Sequence, residues 1–344
     1  MGDSGLGVIE RPSSGHSVKS GELSMYATRT MVTPPSSRNA SSTEQVVAVD
    51  IGGTSIRAGL VDVAGELHGA IRERVSDRSP EGLSGQLCRL LIDLEAPDGL
   101  PVCVGLPGAV CSASMRVLFA PNLGWHDVAF QEVLSARLGR RVHLLNDLNA
   151  ITVGEAICGA AKGSRDTLCV FVGTGVGMGA VVGGRLLVGS RGLAGEIGHT
   201  KIESHQTGRL CGCGERGCLE AYVAGRHLGA IYTERLAEEF GPPRDASAVE
   251  KASRSCGIAQ EVLREAAMYL ARGIGNVAMT LDSDTIVLGG GVLQSAPSLY
   301  WMLVEALKGY SSRESWKGVQ IERSQHGDDA GIIGAGLVAH GALD

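Results

Sequence analysis

Three cysteines fall within eight residues, Cys211-Gly-Cys213-Gly-Glu-Arg-Gly-Cys218, and His199 stands twelve residues before the first. Three thiolates and an imidazole form a closed tetrahedral set for Zn²⁺. A closed set is structural, because no coordination position is left for substrate. Gly212, Gly214 and Gly217 permit the tight turns that chelation needs. Three unrelated buried or free thiols would explain this spacing poorly. The chain has nine cysteines, an odd number, which favours metal ligation in a reducing compartment over a disulfide framework.

Two glycine loops offer a second chemistry. Asp50-Ile51-Gly52-Gly53-Thr54 and Gly173-Thr174-Gly175-Val176-Gly177 each follow an apolar, β-branched run. Glycines let backbone N–H groups approach phosphate oxygens, the Thr54 and Thr174 hydroxyls can donate, and Asp50 can hold a hydrated Mg²⁺. One such loop alone reads equally well as a hairpin turn. Two in equivalent contexts favour phosphate. No Gly-Lys-Ser/Thr follows either loop and each opens a strand, so neither is a Walker A loop. A third cluster, Gly289-Gly290-Gly291, sits between a strand and a helix and leaves room for a flat base or ribose. A tight connection is its alternative.

A proton acceptor is harder to place. Asn146-Asp147 ends an apolar strand, where α/β proteins present functional groups. A carboxylate there can accept a proton from an attacking hydroxyl during phosphoryl transfer. Asp and Asn are also preferred helix caps, and spacing alone favours the cap for Asp147.

The elements that must carry these residues follow a repeating plan. Strands are expected at 46–51, 56–63 and 67–75, then a helix over 80–94 and a strand over 102–106. Asp127 is the expected cap of a helix reaching Leu138, and strand 142–145 leads to a helix near Asn149. The strand–glycine loop–strand–turn–strand theme returns at 168–188. Helices are expected over 218–240, 257–281, 296–309 and 329–342, with strands at 285–288 and 319–321. Two copies of one unit predict an α/β protein of two similar lobes with a cleft between them. The expected boundaries are 1–44 for a disordered Ser/Gly-rich extension, 45–150 for the first lobe and 151–344 for the second. The final helix is expected to pack back on the first lobe.

Composition narrows the partners. Gly accounts for 50 of 344 residues and Pro for only 11, which excludes collagen and Pro/Gly-rich disorder. A formal net charge of −6 leaves no basic footprint for nucleic acid, and 4% aromatics make a poor base-stacking platform. The charge-free stretches at 167–184 and 285–304 are too glycine-rich for membrane helices.

Together these residues resemble the ROK family of sugar kinases and sugar-sensing repressors. The resemblance covers about residues 45–343. Its most specific segment is Gly195-Glu196-Ile197-Gly198-His199 followed by the cysteine cluster and Leu219-Glu220. It implies the actin-like, hexokinase-type ATPase fold, with Asp50, Gly52, Gly53, Thr54, Gly173, Thr174 and Gly175 at ATP phosphates and Gly289, Gly290 and Gly291 at the nucleoside. Leu145-Asn146-Asp147-Leu148-Asn149-Ala150 is similar to the segment of the family's catalytic base, which makes Asp147 that base. By the same resemblance Asn122, Asn146, Asp147, Glu196, His199 and Glu220 hold sugar hydroxyls. His199 would serve sugar and metal with different ring nitrogens.

The implied reaction is ATP-dependent phosphorylation of a hexose at the 6-hydroxyl, with structural Zn²⁺ and with Mg²⁺ entering on ATP. Pro121-Asn122-Leu123-Gly124-Trp125 is similar to the glucokinase branch, so glucose is the first expected substrate. N-acetylmannosamine or N-acetylglucosamine is the alternative, and polyphosphate is an alternative donor. A ROK repressor would need a helix-turn-helix ahead of the core, for which residues 1–44 have no amphipathic pattern. The resemblance further implies a cytoplasmic dimer or tetramer that binds neither nucleic acid nor membrane.

Overall fold

The computed structural model describes residues 44–236 and 245–343. The expected extension over 1–44 lies outside them except for Glu44. The first lobe opens with β1 (Gln45–Ile51), β2 (Ser55–Asp62) and β3 (Leu67–Arg74), an antiparallel meander. Helix α1 (Pro80–Asp93) follows; Ser79 caps it by accepting the Gly82 N–H at 3.1 Å, and Pro80 pre-sets its first turn. Leu83, Leu87, Leu90 and Leu91 make the buried face of α1. Strand β4 (Val102–Leu106) pairs parallel with β1.

Three short strands, β5 (Ala109–Val110), β6 (Val117–Ala120) and β7 (Trp125–Val128), then form a separate small sheet. Helix α2 (Phe130–Leu138) leads to β8 (Val142–Asn146), which pairs parallel with β4 and runs directly into α3 (Asp147–Ile157).

The second lobe repeats this plan. Strands β9 (Thr167–Val172), β10 (Val176–Val182) and β11 (Arg185–Leu186) form the meander. Helices α4 (Glu220–Val223), α5 (Gly225–Arg235), α6 (Ala246–Ser253) and α7 (Gly257–Leu281) precede β12 (Thr285–Gly289). Then come α8 (Gly291–Ser295), α9 (Pro297–Lys308), β13 (Gln320–Arg323) and α10 (Ala330–Ala339). The first sheet has the order β3-β2-β1-β4-β8 and the second β11-β10-β9-β12-β13. Strand for strand, order and direction agree. The β1–β2 loop that holds Gly52-Gly53 is therefore the counterpart of the β9–β10 loop that holds Gly173-Thr174-Gly175.

Two helices tie the lobes together. Helix α3 packs on β9 and β10, while α10 packs on β1, β2 and β4 and also on α3. Their crossing is very close: a Cβ on Gly334 would stand 1.6 Å from the Ala150 carbonyl oxygen. Only glycine fits there. Ile332 and Ala335 of α10 share one buried cluster with Val46, Ala48, Val61 and Cys103 of the first sheet.

Several expected elements differ. Asp127 is not a cap: it lies in β7 with φ near +52°, and its carboxylate is held by Arg116 at 2.7 Å. Helix α2 starts at Phe130 with no side-chain cap. The helix expected near Asn149 begins at Asp147. The helix expected over 218–240 is broken at Ala224, whose extended backbone separates α4 from α5, and residues 237–240 lie outside the described ones. The third strand of the second meander ends at Leu186. The strand expected at 319–321 lies at 320–323.

Candidate active site

The cleft at the carboxyl ends of the parallel strands holds a cavity of about 450 Å³, within the size range of small-molecule sites. Asn146, Asp147, Gly173, Thr174, Gly175, Glu196, His199, Glu220 and Gly290 all line it. Asp50, Gly52, Gly53, Thr54, Asn122, Gly289 and Gly291 are not among its lining residues. Gly53 and Asn122 nevertheless meet each other, since a Cβ on Gly53 would lie 3.7 Å from Asn122 Cβ.

Asn146 settles which residue caps α3. Its Oδ1 accepts the Asn149 N–H at 3.1 Å, and its Nδ2 donates to the Gly108 carbonyl at 3.0 Å. Asp147, the first helical residue, accepts the N–H of its neighbour Leu148 at 2.9 Å and a further hydrogen bond from the Asn146 side chain, and caps nothing beyond. Its carboxylate is thus released from capping. Asp147 keeps part of its surface on the cavity, yet the protein crowds its carboxyl. Burial first, and the Asp50 carboxylate second, push it up to about 7. Burial likewise pushes Asp50 up to about 6, against the opposing pull of Arg57. Asp50 lies against α10, where a Cβ on Gly331 would come within 2.9 Å of its carboxyl carbon. A cavity-lining carboxyl that titrates near neutrality, with a second carboxyl close enough to act on it, is suited to proton transfer.

On the opposite wall, Glu220 is buried and its Oε2 accepts the Val176 N–H at 3.2 Å, which pins it beneath the Gly173–Gly175 loop. Arg226 stands 3.6 Å from its Oε1. Glu196 is exposed to the cavity, with its carboxylate 3.9 Å from His199 Nε2. The other ring nitrogen of His199, Nδ1, faces Cys211 Sγ at 3.8 Å. The imidazole therefore presents one nitrogen to the cavity wall and the other to the cysteines.

His199, Cys211, Cys213 and Cys218 each offer a ligand atom, and these atoms lie within 4.8 Å of one another. Sulfur and imidazole donors in that number fit a tetrahedral soft cation. Glu220 Oε1 lies 3.7 Å from Cys211 Sγ, so the cluster braces the wall that carries Glu220.

Arg78 escaped the sequence reading. Its guanidinium donates to the Gly53 carbonyl at 2.9 Å, while its own carbonyl accepts from Trp125 Nε1 at 2.6 Å. No spacing signal marks it, because only the folded chain brings residue 78 to residue 53.

The model of the ROK family matches residues 46–342. The chain is similar to the glucokinase of Streptomyces coelicolor, 30% identical over 309 residues that span 85% of this chain and 96% of that one. It is also similar to the N-acetylmannosamine kinase of Escherichia fergusonii, 33% identical over 309 residues that span 86% and 98%. The solved ROK family glucokinase from Streptomyces griseus, in complex with glucose and AMPPNP, superposes with a TM-score of 0.73 at 29% identity, covering 87% of this chain and 100% of that one.

Proposed function

This chain belongs to the ROK family, and from that premise we propose that it transfers the γ-phosphoryl group of ATP to the 6-hydroxyl of a hexose, glucose first. It is a sugar kinase on the actin-like, hexokinase-type ATPase fold. The observation that carries the reaction is the released Asp147 carboxylate in a cleft whose facing walls hold carboxylates and a glycine loop.

In this reading Asp147 takes the proton of the 6-hydroxyl as that oxygen attacks the γ-phosphorus and the bond to the ADP oxygen breaks. A base that titrates near 7 matches the task at neutral pH. Asn122, Asn146, Glu196, His199 and Glu220 orient the sugar. Carboxylate and amide groups pair with hydroxyls, and a site so built rejects analogues that lack them. The Gly52-Gly53-Thr54 and Gly173-Thr174-Gly175 loops direct N–H groups at the phosphates, and Gly289, Gly290 and Gly291 leave space for the nucleoside. Magnesium enters with ATP as part of the substrate, and Asp50 receives it through water. Zn²⁺, held by His199, Cys211, Cys213 and Cys218, supplies a cross-link that stiffens the sugar-binding wall.

The lobes divide at about residue 150, and the chain works as a cytoplasmic dimer or tetramer without nucleic acid. Among the described residues no helix is long and apolar enough to cross a membrane.

The 33% identity to an N-acetylmannosamine kinase favours a second reading, phosphorylation of an N-acetylhexosamine at the same site. ADP release with glucose, mannose, N-acetylmannosamine and N-acetylglucosamine, with ATP or polyphosphate as donor, separates them. We expect the highest kcat/KM with glucose and ATP. Turnover confined to the N-acetylhexosamines overturns the glucose assignment, and turnover with none of the four overturns the kinase reading.

A further inference from the structure

Lys201 lies two residues after His199, and its backbone pairs with Cys218 in an isolated antiparallel bridge. Hydrogen bonds from Ile202 N–H to the Gly217 carbonyl at 2.9 Å and from Leu219 N–H to the Thr200 carbonyl at 3.0 Å lock that register. The register sends the Lys201 ammonium to the cysteine cluster, where Nζ donates to Cys218 Sγ at 3.1 Å. The Glu215 carboxylate, on the turn between Cys213 and Cys218, grips the same ammonium from the solvent side. Cys218 is fully buried, while Lys201 and Glu215 form the outer rim.

Three thiolates around a divalent cation leave a net charge of −1 at the centre, and an ammonium in contact with one sulfur offsets it. The same N–H···S bond occupies one sulfur lone pair and so directs another inward. Groups that hydrogen-bond metal ligands fix ligand orientation and typically change metal affinity about 10–100-fold.

The geometry points to Lys201 as a positioning residue for the metal: it neutralises and orients Cys218, and Glu215 holds it in place. This rests on the zinc reading of the cluster. A site so capped loses its ion slowly, and the Thr200–Glu220 wall keeps its shape between turnovers.

The test measures bound zinc by elemental analysis and the rate of zinc transfer to a colorimetric chelator. It compares the full-length wild-type protein with Lys201→Met, Lys201→Arg and Glu215→Gln. We expect about 10-fold or greater acceleration in Lys201→Met, a near-wild-type rate in Lys201→Arg, and an intermediate rate in Glu215→Gln. After chelation, wild type and Lys201→Met should melt at the same temperature, since the lysine acts through the ion. Equal transfer rates in wild type and Lys201→Met, or a Lys201→Met melting deficit that persists in the stripped proteins, overturn the proposal. If Lys201→Met does not fold, a wild-type transfer rate in Glu215→Gln overturns it. A wild-type protein that carries no tightly held zinc would instead remove the metal reading on which it stands.

Discussion

Asn146 accepts the Asn149 N–H at 3.1 Å, which places the cap of α3 one residue before Asp147. Of two adjacent residues that are both good caps, the amide takes the structural role and the carboxylate is left on the cavity wall.

Asp147→Asn should retain the fold and sugar binding and lose turnover. General bases contribute about 10²–10⁴-fold, so kcat should drop by at least about 10²-fold while calorimetric glucose affinity changes little. A near-wild-type kcat would remove Asp147 from the base role.

The Asp147 carboxyl also links activity and stability to pH. Activity needs the ionised form, so kcat/KM should rise with pH and level off above about 7. The Asp50 carboxylate raises that value, so Asp50→Asn should move the acidic limb to lower pH, whatever it does to the maximum. For stability the sign is reversed. The folded state binds this proton more tightly than the unfolded chain, whose carboxyl titrates near 3.8. The contribution is complete below about 4 and is lost as pH rises through 7. Asp147→Asn should therefore melt above wild type at pH 8, and the gap should close at pH 4. A pH-independent gap would contradict the burial of this carboxyl.

Asn146→Ala removes a cap and the link to Gly108 together. Loss of a cap costs about 0.5–2 kcal/mol. Urea denaturation should show a destabilisation in or just above that range, with a fall in kcat as α3 and Asp147 lose their register.

Gly334→Ala places a methyl group where the Ala150 carbonyl oxygen already sits, 1.6 Å away. Overpacking of this kind costs about 1–3 kcal/mol or more. A lower melting temperature with reduced activity is expected, although residue 334 is not among the cavity-lining residues. An unchanged melting temperature would mean that α3 and α10 separate easily.

Much of this was readable before folding, and the exceptions share a cause. Cys211, Cys213 and Cys218 are close in sequence, so their clustering needed no tertiary information. The two glycine loops were visible because each follows a buried strand. Asp127 looks like a cap in sequence because its partner, Arg116, is supplied by the loop just before the neighbouring strand β6. The small sheet β5–β7 escaped because strands of two to four residues are too short to show alternation. Asp147 was ambiguous because capping propensity cannot choose between adjacent Asn and Asp; the Gly108 carbonyl, reached by Asn146, makes the choice.

The position of α10 bears on how the molecule is made. The helix that covers β1 and β2 is contributed by residues 330–339, although those strands begin at residue 45. During synthesis the first lobe emerges early, but it must wait, with Val46, Ala48 and Val61 uncovered, until nearly all of the described chain has followed. The second lobe waits almost as long, because its edge strand β13 spans residues 320–323. Both lobes therefore depend on the last segments of the described chain, and a strand laid down at residue 45 is sealed by a helix that is among the last to be made.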